Sequence, residues 1–131
     1  MKISGTYLVQ KGAIKVITNN DVCKYYRWLF NKAHFNTIKN QIPKHGAHVG
    51  IINPKIHRSI DCMELKDLNG KRVDFDIDIE GNYGGFTKGF LNFWLDAHCQ
   101  EFIDIRKWFG VYEEQDGFAP FHLTILNTKN V

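Results

Sequence analysis

Two short stretches place proton-carrying side chains on the outer face of an otherwise apolar strand: Ala47-His48-Val49-Gly50-Ile51-Ile52 and Phe121-His122-Leu123-Thr124-Ile125-Leu126. Side chains at i and i+2 of a strand share a face. Ala47, Val49 and Ile51 therefore face a core together, as do Phe121, Leu123 and Ile125. His48 and Gly50 share the opposite face of the first strand, His122 and Thr124 that of the second. Imidazole titrates near neutral pH. Two histidines on either side of a phosphorus atom can thus take a proton from an attacking hydroxyl or water and give one to the leaving oxygen, without a metal. Thr124 would hold a non-bridging oxygen as negative charge builds there. One histidine on a core strand is more often packing than catalysis; the same arrangement met twice points to a facing pair.

Rival constellations are weaker. His45, His48 and His57 suggest zinc ligands, but Pro43 and Gly46 break the helix that would align them, and positions i and i+3 of a strand face opposite sides. Asp74, Asp76 and Asp78 alternate with Val73, Phe75, Ile77 and Ile79, which spreads the carboxylates along one solvated face over roughly 13 Å. No metal site is expected from them. His98 beside Cys99 would need proximity in space, not in sequence, to work as a nucleophilic pair, and His34 reads as the end of a helix. Tyr7 and Trp94, on expected strands, are candidates to stack on bases. Lys15, Lys55, Arg58 and Arg106 are candidates to meet phosphates.

The elements that must position these residues fit one domain spanning residues 1–131, with 44% apolar residues to build its core. Lys and Arg number 17 against 14 Asp and Glu, a net charge of +3. That suits a small polyanionic ligand and falls short of an arm that wraps nucleic acid. Cys23, Cys62 and Cys99 are odd in number and form no CxxC pair, so neither a disulfide framework nor a cysteine zinc site is indicated. No signal peptide or membrane span is apparent, and the expected location is the cytoplasm.

"ISGTYLVQ" and "AIKVIT", separated by Lys11-Gly12, read as a hairpin. A helix is expected over 20–33, capped by Asn20 or Asp21, with Val22, Tyr25, Tyr26, Leu29 and Ala33 at core spacing. A polar loop then delivers the chain to "AHVGIINP", a strand that Pro54 ends. In "CMELKDLNGKRVDFDIDIEG", Asn69-Gly70 is a two-residue hairpin signal between two strands, the second carrying Val73, Phe75, Ile77 and Ile79 inward. "GNYGGFTKG" turns the chain into the strand "FLNFWLDAH". A short helix follows in "QEFIDIRKWFG", with Phe102, Ile105 and Phe109 inward and Gly110 at its end. The loop "VYEEQDGFAP" precedes the second histidine strand. Each half thus has a helix, a loop and a strand with a lone histidine, a duplication of architecture rather than of sequence.

The tandem H-x-G and H-x-T patterns resemble the paired H-x-[ST] motifs of the 2H phosphoesterase superfamily. "PKHGAHVGIINP", "FWLDAHCQEFIDIRKWFG" and "FHLTILN" are more like its short phage-encoded branch, which includes anti-CBASS phosphodiesterases that destroy cyclic oligonucleotide signals. The resemblance implies an α+β, two-lobed, pseudo-symmetric fold whose antiparallel sheets line a groove, with helices outside. It implies His48 and His122 as general base and acid and Thr124 as the phosphate hydroxyl. It implies no cofactor, a cyclic or short linear oligonucleotide as partner, and no obligatory protein partner. Gly50 departs from the family's Thr or Ser and removes one phosphate hydrogen bond, about 1–3 kcal/mol if unreplaced. Its own backbone N–H, Ser59 or Lys55 are the candidate substitutes. Substrate-binding candidates are Gly50, Tyr7, Lys55, Trp94 and Arg106. The alternatives are an RNA 2′,3′-cyclic phosphodiesterase, a nucleotide-sequestering module without turnover, and a structural phage protein whose histidines are incidental.

Overall fold

Alternating polar and apolar residues pair the opening segments in the computed structural model, which describes residues 1–84, 89–111 and 121–129. β1 (Lys2–Gln10) and β2 (Ala13–Thr18) form an antiparallel hairpin over Lys11 and Gly12, with Tyr7 opposite Val16 and Val9 opposite Ile14. α1 (Asp21–Ala33) follows, then β3 (His48–Ile52). The second half repeats the order with β4 (Arg72–Gly84), β5 (Asn92–His98), α2 (Gln100–Trp108) and β6 (Phe121–Asn127). His34 caps the C-terminal end of α1.

The strands close into an antiparallel barrel in the order β1-β2-β3-β6-β5-β4, so the fold is α+β. Two junctions join the halves: β1 to β4, with Gly5 opposite Val73, and β3 to β6, with Val49 opposite Leu123. Where two separate sheets were expected across a groove, these junctions make one continuous ring. The order remains symmetric about them, because β1-β2-β3 of the first half mirrors β4-β5-β6 of the second.

Inward residues alternate as the sequence requires: Val16, Val49, Ile51, Phe75, Ile77, Leu95, Ala97, Phe121, Leu123 and Ile125 are all buried. The helices pack onto the same core. Phe102 of α2 is 0% exposed and lies 6.3, 5.6 and 5.4 Å from the rings of Tyr7, Phe75 and Phe121. Phe30 of α1 meets Phe93 at 5.5 Å. Burying an aromatic side chain of this size is worth about 1.5–3 kcal/mol, so these two rings are what tie each helix to the barrel.

Four expectations are corrected. The residues before Asn69-Gly70 form a 3₁₀ segment, Cys62–Leu68, not a strand; Asp61 Oδ1 caps it by accepting the Met63 N–H, and Asn69-Gly70 turns no hairpin. Ile79 is 67% exposed, because the β4–β5 register shifts between Ile77 and Gly81 and the bulge rolls the later residues of β4 outward. The buried face of α1 is Cys23, Tyr26 and Phe30, while Tyr25 and Leu29 are exposed. Its phase is set by Phe30 against Phe93 and by Cys23, whose thiol donates to the Thr124 carbonyl at 3.4 Å. Burial pushes that thiol up to about 11, so it keeps its proton. Finally, Asn20 holds the N-cap position of α1 without capping it; its Oδ1 accepts the Ala47 N–H at 2.7 Å instead. Most of the loop expected over 111–120 and the tip of the turn at 85–88 lie outside the described residues.

Candidate active site

The junction of β3 and β6 builds the site. Val49 and Leu123 are opposite one another and point inward. In an antiparallel pair centred on them, His48 lies beside Thr124 and Gly50 beside His122, all on the outward face. The two histidines are therefore diagonal neighbours, a relation that separates residues by about 7–8 Å. Their charges interact, since protonation of His48 disfavours that of His122.

The flanking strands extend this block into two rows. Ile17 of β2 pairs with His48, and Trp94 of β5 pairs with Thr124. Lys15 pairs with Gly50, and Asp96 pairs with His122. One row thus reads Ile17, His48, Thr124, Trp94 and the other Lys15, Gly50, His122, Asp96. Register shifts occur between Ile14 and Lys15 in one half and between Phe93 and Trp94 in the other. Lys15 and Trp94 occupy equivalent places in the two halves. Bulges favour the neighbourhood of active sites because they re-aim side chains, and here each sits at the edge of the four-residue block.

His48 is fixed by the loop before it. Gly46, at φ +81°, adopts a backbone that L side chains resist, and its carbonyl accepts from His48 Nδ1 at 2.8 Å. A carbonyl can only accept, so Nδ1 carries the proton and Nε2 is the nitrogen available for chemistry. The loop itself is held by Ala47 N–H on Asn20 and by Gly46 N–H on the Pro43 carbonyl at 3.0 Å.

His122 is exposed at its surface yet has enough protein around it that lost solvation is the main influence on its titration. Desolvation lowers its pKa, Asp96 opposes by raising it, and His48 and Arg106 lower it further. The Trp94 ring lies 6.1 Å from the imidazole, tilted by 57°, with its indole N–H donated to Asp96 Oδ1 at 3.3 Å. Trp94 is half-buried, and it packs over Gly84, where an added Cβ would fall 2.7 Å from its ring.

Arg106 reaches the same junction from α2. Its Nε donates to the Ile51 carbonyl at 2.9 Å, and its guanidinium stacks on Phe121 at 4.3 Å. Ile51 and Phe121 are the sequence neighbours of Gly50 and His122, so the arginine braces both strands. Lys55 is exposed in the turn after β3, its backbone N–H accepted by Asn53 Oδ1.

Tyr7 is a correction. It is 2% exposed, points inward, and donates its hydroxyl to Glu101 Oε1 at 2.7 Å. Its parity on β1 puts it among Val9, Val16 and Phe102, on the other side of the sheet from the histidines, where it cannot stack on a ligand at their face. His48, His122, Thr124, Gly50 and Trp94 come together on that face, whereas Arg106 meets the Ile51 carbonyl and the ring of the inward Phe121 and acts on His122 through its charge. Asp96 was missed as a site residue; its alternation with Leu95 and Ala97 shows that it faces outward, but only the β5–β6 register shows that it faces His122.

No family model, no curated protein and no solved structure matches this chain.

Proposed function

We propose that this protein is a metal-independent phosphodiesterase that uses His48 and His122 as its acid and base on a small oligonucleotide. The observation that carries the reading is the outward block of His48, Gly50, His122 and Thr124 around the inward Val49–Leu123 pair. His122, biased toward its neutral form, accepts the proton of the attacking hydroxyl or water as the new P–O bond forms. His48 in its imidazolium form gives a proton from Nε2 to the oxygen whose bond to phosphorus breaks, while Nδ1–H remains on the Gly46 carbonyl. Thr124 donates to a non-bridging oxygen. Attack by a ribose 2′-hydroxyl leaves a 2′,3′-cyclic phosphate; attack by water completes hydrolysis.

The resemblance to 2H phosphoesterases agrees with this chemistry, although the strands close into one barrel where that family would have two lobes lining a groove. A cyclic signalling oligonucleotide, cleaved as a phage counter to host defence in the cytoplasm, is the substrate class that the phage-type resemblance favours. The second reading is a sequestering module that binds such a ligand without turning it over. Gly50 is its support, because one of the two expected hydroxyls is missing.

The test is incubation in EDTA with cyclic di- and trinucleotides, linear 2′-5′ and 3′-5′ dinucleotides and 2′,3′-cyclic nucleotides. Turnover that survives EDTA and is lost in both His48→Ala and His122→Ala is expected. Tight binding of unchanged ligand would establish sequestration instead, and activity persisting in both variants would refute the two-histidine mechanism.

A further inference from the structure

The two rows differ in chemistry where the halves of the fold are otherwise alike. Strand order makes His48 the counterpart of His122, Gly50 of Thr124, Lys15 of Trp94 and Ile17 of Asp96. The hydroxyl of Thr124 therefore stands beside an aromatic ring in one row, and the bare backbone of Gly50 stands between a cation and a histidine in the other. Resting on the phosphodiesterase reading, we propose that Lys15 binds the non-bridging phosphate oxygen that Gly50 cannot, so that the site holds its phosphate by one hydroxyl and one ammonium instead of two hydroxyls.

Three observations support this. Gly50 is not demanded by the backbone: it has no positive φ, and a Cβ built on it meets nothing within 4 Å. The glycine thus leaves open space on the sheet rather than relieving a clash. Lys15 borders that space in register and is half-buried. Among the described residues it makes no ion pair, whereas Arg72 is joined to Asp74 and Arg27 hydrogen-bonds Asn40. Neighbouring strands lie about 4.8 Å apart, so Lys15 and His122 stand two steps, about 10 Å, from each other with Gly50 between them. A phosphate resting over Gly50 would have His122 on one side and the Lys15 ammonium within reach on the other. A flexible ammonium is a point charge that follows an oxygen as its charge grows. Of the substitutes the sequence offers, Lys55 lies beyond the end of β3 and Ser59 further along the same turn, whereas Lys15 borders the gap itself.

The experiment compares kcat/KM in EDTA, on the best-cleaved substrate of the panel above, for wild type, Lys15→Met, Lys15→Arg, Gly50→Thr, the Lys15→Met/Gly50→Thr double variant, and Lys24→Met as a charge-matched control on the outer side of α1. Lys15→Met is expected to lose roughly 10- to 100-fold, the worth of one hydrogen bond to a charged group. Lys15→Arg should retain most activity, Lys24→Met all of it, and the double variant should recover part of the loss. Equal rates for wild type and Lys15→Met would overturn the role of Lys15 and leave the phosphodiesterase reading standing. A wild type that cleaves nothing without metal would overturn both.

Discussion

Asp96 stands directly across the β5–β6 ladder from His122, and the same carboxylate receives the Trp94 indole N–H. The carboxylate thus opposes the desolvation that lowers the histidine's pKa and at the same time anchors the ring packed against it. Its replacement should be read through proton binding before it is read through rate.

Between its lowered folded value and the ordinary value of about 6.5, His122 binds fewer protons folded than unfolded. The ring costs no stability above about pH 6.5, and its cost grows as pH falls through that window. His122→Gln should therefore gain stability relative to wild type at pH 5 compared with pH 8, measured by urea unfolding. Asp96→Asn removes the influence that raises the pKa among the described residues, so the acidic limb of the kcat/KM profile should move to lower pH. A limb that stays in place would show that Asp96 does not act on this ring.

Two glycines of the sheet should respond oppositely to a methyl group. A Cβ at Gly81 would fall within the ring of Phe93, whereas one at Gly50 meets open space. Gly81→Ala is expected to cost about 1–3 kcal/mol, as overpacking does, and Gly50→Ala to stay within about 0.5 kcal/mol of wild type. Denaturant midpoints would separate them; a large loss at Gly50 would mean that the outer face is not open there.

Tyr7→Phe removes one hydroxyl from the core and leaves Glu101, itself exposed, to water. Stability should fall by about 0.5–1.5 kcal/mol, with kcat/KM unchanged. A drop in kcat/KM at unaltered stability would return Tyr7 to the ligand face.

What could be read from the sequence was whatever depends on neighbours two to four residues apart. Strict alternation in "AHVGII" and "FHLTIL" sufficed to send His48 and Gly50, and His122 and Thr124, out of the core. The same parity rule placed Tyr7 inward with Val9, and treating it as a ligand contact disregarded that rule. What stayed hidden depends on pairing between distant segments. Lys15 and Asp96 gain their meaning from Gly50 and His122, which no local pattern connects to them. Bulges have no dependable local signature, so Ile79 continued an alternation that the fold interrupts. In α1 the apolar positions nearly encircle the helix, and its rotation was decided by Phe30 finding Phe93. The segment Cys62–Leu68 reads as a strand only through the Asn69-Gly70 signal, against its Met, Glu, Leu and Lys, which favour a helix; it is tied down by the Asp61 cap and by the Cys62 N–H on the Lys11 carbonyl at 2.7 Å.

A half of this chain standing alone would display β1 and β3 as bare edges, and the other half β4 and β6, each pair matched to the other in direction and spacing. What holds the halves together is thus sheet pairing between segments remote in sequence and a shared core, with Phe30 on Phe93 and Phe102 on Tyr7, and not the covalent link through the turn at 53–59. A molecule nicked in that turn should stay whole, its two fragments copurifying and melting in one transition, while either fragment made alone should pair with copies of itself through the edges its partner would have covered.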